Sequence, residues 1–137
     1  MEATSCHSLD RTTRRKLQAG LFVSALPVLF LIFDGVIKVV KTAPVVEAFA
    51  RLGYPEGLAH GIGFLELACL AAYALPRTAI LGAILLTGYL GGAISCHVRI
   101  GDPLFSHVLF PVYVGALLWG GLFLREPRLA ALLPFRK

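Results

Sequence analysis

Four apolar runs, roughly Leu17–Val40, Leu58–Leu75, Thr78–His97 and Phe105–Leu124, leave this chain of 137 residues little choice of fold. Each is close to the ~20 residues that a helix needs to cross a hydrocarbon core ~30 Å thick. Strand alternation is absent, so a barrel is not expected. Breakers separate the runs: Tyr54-Pro55-Glu56-Gly57, Pro76, Gly101-Asp102-Pro103 and Pro127. Composition agrees, with 57% hydrophobic residues, 15% charged and a mean hydropathy of +0.76. Soluble domains have about 45–50% apolar and about 25% charged residues. In water, a small protein of this composition would expose patches large enough to aggregate. The expectation is a single all-α domain, a bundle of four transmembrane helices at 17–124 between basic tails at 1–16 and 125–137.

The first run has a competing reading as a signal peptide, with Arg14, Arg15 and Lys16 as the basic end and Leu21–Phe33 as the apolar core. No small-x-small cleavage pattern follows, because Asp34 and Lys38 come next, so the helix is expected to be retained. Pro27 is expected to kink it by freeing the carbonyl of Val23, which membrane helices tolerate.

The net charge is +5, and its distribution speaks to topology. Arg11, Arg14, Arg15 and Lys16 precede the first run, Arg77 lies in the second connection, and Arg125, Arg128, Arg136 and Lys137 follow the last run. The other connections carry only Lys41, Arg51 and Arg99. The positive-inside rule then places both termini in the cytoplasm of a multi-pass protein of the cell membrane. No nucleic-acid motif accompanies these bases. The first connection fits either an ordered loop or a short helix on the outer surface. That helix would start at Pro44 and end at Gly53, with Val46, Phe49 and Leu52 on one face and Glu47 paired with Arg51 on the other.

Depth then sorts the polar residues. Asp34 and Lys38 lie near the outer end of the first helix, and His60 lies at the outer rim of the second. Glu66 lies about 12 Å in, at 1.5 Å per residue. Cys96, His97 and Arg99 end the third helix, and Ser106 and His107 begin the fourth. Ionisable residues therefore gather in the outer half. Charge at a helix centre costs roughly 2.5–3.5 kcal/mol on insertion scales, so such residues usually face a bundle interior or a water-filled cavity. Asp34 and Lys38 share a helix face with the acid first, the better order for a pair. Near the interface they also fit a purely structural ion pair. Glu66 has no base one turn away and needs a partner from another helix, such as Lys38 or Arg99, or else it stays protonated. Tyr89, Ala93 and His97 form one stripe, expected to face Glu66 and Asp34 across an outer-half cavity. His60, Cys96 and His107 are weaker members of the set.

No ligand spacing suggests a metal site. Cys6, Cys69 and Cys96 fall at different depths, which argues against a disulfide or a catalytic dithiol. Cys69 reads as a small packing residue. Gly88 with Gly92, and Gly91 with Ser95, are small-xxx-small pairs expected to let helix backbones approach closely, with Gly115, Gly120 and Gly121 acting similarly in the fourth helix.

Several blocks in order resemble a known family. GYPEGLAHGIGFLELACLAAYALPRTAILGAILLTGYLGGAISCHVRIGDP is similar to the core of the DoxX-like membrane proteins. FDGVIKV resembles their first-helix G-x-x-K element, and WGGLFLREPRL their closing W-G-G-x-x-x-R-[DE]-P-R. The resemblance covers about Phe30 to Leu133 and implies a four-helix membrane bundle. It marks Lys38, Gly53, Tyr54, Pro55, Glu66, Pro76, Arg77, His97 and Arg99. At Asp34 such proteins often carry a small residue. The wider family takes its name from a subunit of a quinone-reducing thiosulfate oxidoreductase. The resemblance therefore implies a redox-linked component that holds a quinone or a small sulfur compound. Glu66 or His97 would exchange protons with it, and Lys38 and Arg99 would hold negative charge. Two alternatives stand beside this reading. One is a non-catalytic accessory protein for a membrane complex, acting through a partner protein or a second copy of the chain. The other is a small carrier of solute or lipid.

Overall fold

The protein is described from a computed structural model covering residues 2–55 and 57–132, with side chains described for 13–55 and 57–129. The helices are α1 (Glu2–Val40), α2 (Ala43–Arg51), α3 (Leu58–Ala74), α4 (Ala79–Arg99), α5 (Phe110–Arg125) and α6 (Pro127–Leu132), with a π-helical turn, Leu104–Val108, leading into α5. The described residues contain no strand. Three segments are long and apolar enough to cross a membrane: Thr13–Val40, Ala79–Arg99 and Leu104–Arg125. The fourth, α3, has 17 apolar-rich residues, the lower end of what a span needs. The expected all-α, four-helix membrane bundle is what forms.

α1 packs against α3 and α5, and α4 packs against the same two, so α1 and α4 face each other across the diagonal. The core between them is aliphatic and aromatic, with Leu31, Tyr73, Leu86, Leu118 and Leu122 almost wholly buried. Outward faces are equally apolar: Phe22 is 83% exposed and Leu26 68%. In water that surface would be a liability, whereas in a bilayer it is the lipid-facing one.

One boundary differs from the expected one. Residues 1–16 were expected to form a tail, but α1 starts at Glu2 and runs through Arg14, Arg15 and Lys16 without a break. No proline or turn signal interrupts that stretch, so the helix continues beyond the apolar segment. The helix is likewise continuous through Pro27, which is buried. Cys6 and Arg11 lie outside the described side chains, as do Arg136 and Lys137.

The first connection is helical. Thr42 precedes α2, Pro44 occupies its first turn, and Gly53 follows with φ +75°. Lys41, at the junction with α1, also has a positive φ, +56°. The buried face of α2 is Val45 and Phe49, packed with Ala59 and Ile62, rather than Val46, Phe49 and Leu52. Val45 and Phe49 are four residues apart and stack on one side of a short helix, where a three-residue step drifts around it. Arg51 pairs with Asp102 at 3.2 Å and not with Glu47.

Of the glycines expected to allow close approach, Gly121 does so, while the others do not, and further close contacts fall at Gly63 and Gly82. The positions of Gly88, Gly91, Gly92 and Gly120 would give a Cβ open space. A Cβ at Gly121 would instead overlap Ser24 Oγ and lie 2.9 Å from Gly20 O, which sets the α1–α5 crossing. One at Gly63 would lie 2.9 Å from Gly35 O, at the α1–α3 crossing. One at Gly82 would overlap Tyr73 N at the α3–α4 corner. The spacing of small residues along one helix does not reveal which stripe meets a neighbour. Gly88 and Gly92 line a cavity instead.

Candidate functional site

The cavity has a volume of about 580 Å³ and is bounded by residues from α2 and all four spans. Its wall is mostly apolar: Phe30 and Leu31 from α1, Val45 and Phe49 from α2, Leu90 from α4 and Phe110 from α5. Asp34, Lys38 and Tyr89 supply its polar end, while Tyr54, Cys96 and His97 line it nearer the α2 side of the bundle. That volume and balance suit a small-molecule site, which is typically ~300–1,000 Å³ and mostly apolar with a few placed polar groups.

The polar end is one connected cluster. Lys38 Nζ donates to Asp34 Oδ2 at 2.5 Å, to Glu66 Oε2 at 2.9 Å and to Tyr89 Oη at 2.6 Å. Tyr89 in turn donates to Glu66 Oε2 at 2.8 Å. An ammonium has three protons, so Lys38 has a partner for each. Helix geometry explains the first bond, since residues four apart stack on one face. The others cross from α1 to α3 and α4, so the cluster ties three spans together. Glu66 is fully buried, and its Oε1 has no hydrogen-bond partner.

The expected site residues therefore separate. Asp34, Lys38, Tyr89 and His97 line the cavity. Glu66 joins the cluster but stands behind the wall, touching Lys38 and Tyr89. Arg99 does not reach Glu66: its guanidinium donates to the Leu52 carbonyl and lies 5.9 Å from the Tyr54 ring centroid. It is the last residue of α4, and it caps the end of α2. His60 is exposed and outside the cavity. His107 lies against His97, with ring centroids 5.6 Å apart, and its Nδ1 bonds Ser106 Oγ.

Cys96 lines the cavity, and its Sγ is 2.9 Å from Tyr54 Oη. This bond holds the Tyr54 phenol above its ordinary range. Cys69 is part of the packed core, and both cysteines are free. Among the described residues, no group of three or more His, Cys, Asp or Glu side chains is placed to hold a metal ion.

Two residues matter that the sequence reading did not single out. Asp102 Oδ2 takes both His97 Nδ1, at 2.6 Å, and Arg51, at 3.2 Å. The His97 bond holds the Asp102 carboxyl below its ordinary value. Asp102 thus fixes the His97 ring and ties α2 to the end of α4. The signal was a Gly-Asp-Pro turn five residues after a histidine. Tyr73, fully buried, donates to Leu118 O at 2.7 Å and accepts from Ser24 Oγ at 3.0 Å. Arg125 lies 4.6 Å from its ring centroid and donates to its carbonyl. A tyrosine hydroxyl in an apolar helix needs such partners, and Tyr73 anchors the end of the bundle away from the cavity.

No curated protein and no solved structure matches this chain. The model of the DoxX-like family matches residues 22–121, a stretch that contains every cavity-lining residue named above. The chain is a small multi-pass membrane protein and belongs to the DoxX-like family.

Proposed function

We propose that this protein binds a quinone-type molecule in the cavity, as a component of a redox system of the cell membrane. The observation that carries this reading is the pairing of an apolar cavity of about 580 Å³ with a polar cluster at one end. A ring with polar substituents would meet Asp34, Lys38 and Tyr89, and an apolar tail would lie along Phe30, Leu31 and Phe110. With both termini cytoplasmic, the site lies in the outer half of the bilayer. Tyr89 and Lys38 stand between the cavity and Glu66, so a proton moving between Glu66 and a ligand passes through one of them. A small sulfur oxyanion is a poorer fit, because every ammonium proton of Lys38 already has a protein partner. Electrons would pass to or from a partner protein in the membrane.

The experiment is thermal unfolding of the purified chain in detergent, with increasing decylbenzoquinone or its reduced form. Saturating ligand raises the midpoint, with a stabilisation of about 2.7 kcal/mol at a concentration 100 times Kd. Gly92→Leu, whose side chain grows into open cavity space, abolishes the rise while leaving the unliganded midpoint near that of the parent. Absence of any rise with either form in the parent protein contradicts the reading.

A further inference from the structure

We propose that the cavity selects the hydroxyl-bearing, reduced form of such a ligand over its dione. This rests on the reading above and follows from which hydrogen-bonding atoms the protein has already used. Lys38 has committed its three protons to Asp34, Glu66 and Tyr89. Tyr89 has committed its single proton to Glu66. The two strongest donors of the polar end are therefore spent within the protein. Closer to α2, the Tyr54–Cys96 pair uses one of its two protons internally and leaves at most one. His97 Nδ1 is held by Asp102.

What remains at the polar end is acceptor capacity. Asp34 spends Oδ2 on Lys38 and lines the cavity, 28% exposed, with no partner for Oδ1 among the described residues. Tyr89 Oη accepts one bond, from Lys38, and keeps a second lone pair. A carboxylate is an acceptor only, so an incoming carbonyl would set oxygen against oxygen. An incoming hydroxyl would instead donate to Asp34 Oδ1, a charge-assisted bond of the stronger kind. At the polar end a dione finds a donor only if Lys38 gives up one of its present partners. The site as assembled complements a hydroxyl on an apolar body, and for a quinone-type ligand that is the hydroquinone.

The test compares three probes of nearly one shape: decylhydroquinone, decylbenzoquinone and the dimethyl ether of decylhydroquinone. Each is titrated anaerobically into the full chain in detergent by calorimetry. The hydroquinone is expected to bind about 10- to 100-fold more tightly than either other probe, the range that a hydrogen bond to a charged group supplies. Asp34→Asn, which keeps the shape but offers an amide in place of a carboxylate, narrows that preference. The parent-protein comparison decides the question even if the variant fails to fold. Equal or tighter binding of the dione overturns the inference and leaves the quinone-site reading standing. Equal binding of the dimethyl ether overturns it too, because the donor would then be irrelevant. Failure of all three probes to bind overturns both.

Discussion

Lys38 Nζ lies 2.9 Å from Glu66 Oε2, joining α1 to α3 inside the apolar part of the bundle, with the carboxylate wholly buried. Removing one partner of a buried pair costs about 3–5 kcal/mol, because the other becomes an uncompensated charge. Exposed pairs cost about 0–1 kcal/mol. Lys38→Met should therefore fall in the larger range. In a thermal-unfolding cycle with Glu66→Gln, the two changes should couple by at least about 1 kcal/mol. Small, additive effects would show that Lys38 only decorates the rim.

Glycine positions of opposite character make a second prediction. Gly121→Ala and Gly82→Ala place a methyl group against Ser24 and Tyr73, and each should destabilise by about 1–3 kcal/mol, the cost of overpacking. Gly88→Ala meets open space and should be neutral or stabilising by up to about 1 kcal/mol, as alanine is in a helix. Measured midpoints that reverse this order would contradict the helix pairing.

Asp102 makes the attachment of α2 pH-dependent. Its carboxyl is lowered from an ordinary value of 3.8 by the His97 bond, so its contribution is complete above that value. The contribution declines as pH falls through the lower folded-state value, where the native carboxylate takes up its proton. Asp102→Asn should lower the thermal midpoint at pH 7, and the difference should vanish in strong acid. A difference that persists unchanged there would show that the carboxylate charge is not what holds α2.

Topology has its own test. In a variant lacking Cys6, Cys69 and Cys96, a cysteine introduced at Glu47 should react with an impermeant maleimide added outside intact cells. One introduced at Arg77 should react only after permeabilisation. The reverse pattern would invert the bundle and move the cavity to the inner half.

Much of this architecture is legible in the sequence, for physical reasons. A span must be about 20 apolar residues long, so Leu58–Leu75 closely anticipates α3 at Leu58–Ala74. The fixed rise of a helix places Glu66 and Tyr89 at one depth, each about 12 Å from the same end of the bundle, before any contact is known. What depth does not fix is rotation about the helix axis. Arg99 ends α4 just beyond the cavity-lining His97, yet its side chain turns to the Leu52 carbonyl. Glu66 reaches the cluster from behind the wall and not from within the cavity. Gly88 and Gly92 have the spacing of a helix contact, yet open onto the cavity. Which face meets which neighbour depends on the pairing of α1 with α3 and α5, a property of the whole bundle.

Photoaffinity labelling locates a quinone-type ligand seated between α2 and the Lys38 cluster. An azido-substituted decylhydroquinone is photolysed with the full chain in detergent, and the modified residues are located by peptide mass spectrometry. Labelling is predicted at residues 44–52, in α2 and its C-cap, and at 88–97 of α4, and excess decylhydroquinone should suppress it. Labels confined to exposed lipid-facing residues such as Phe22 and Phe64, or labels at the cavity that excess ligand does not reduce, would contradict the account.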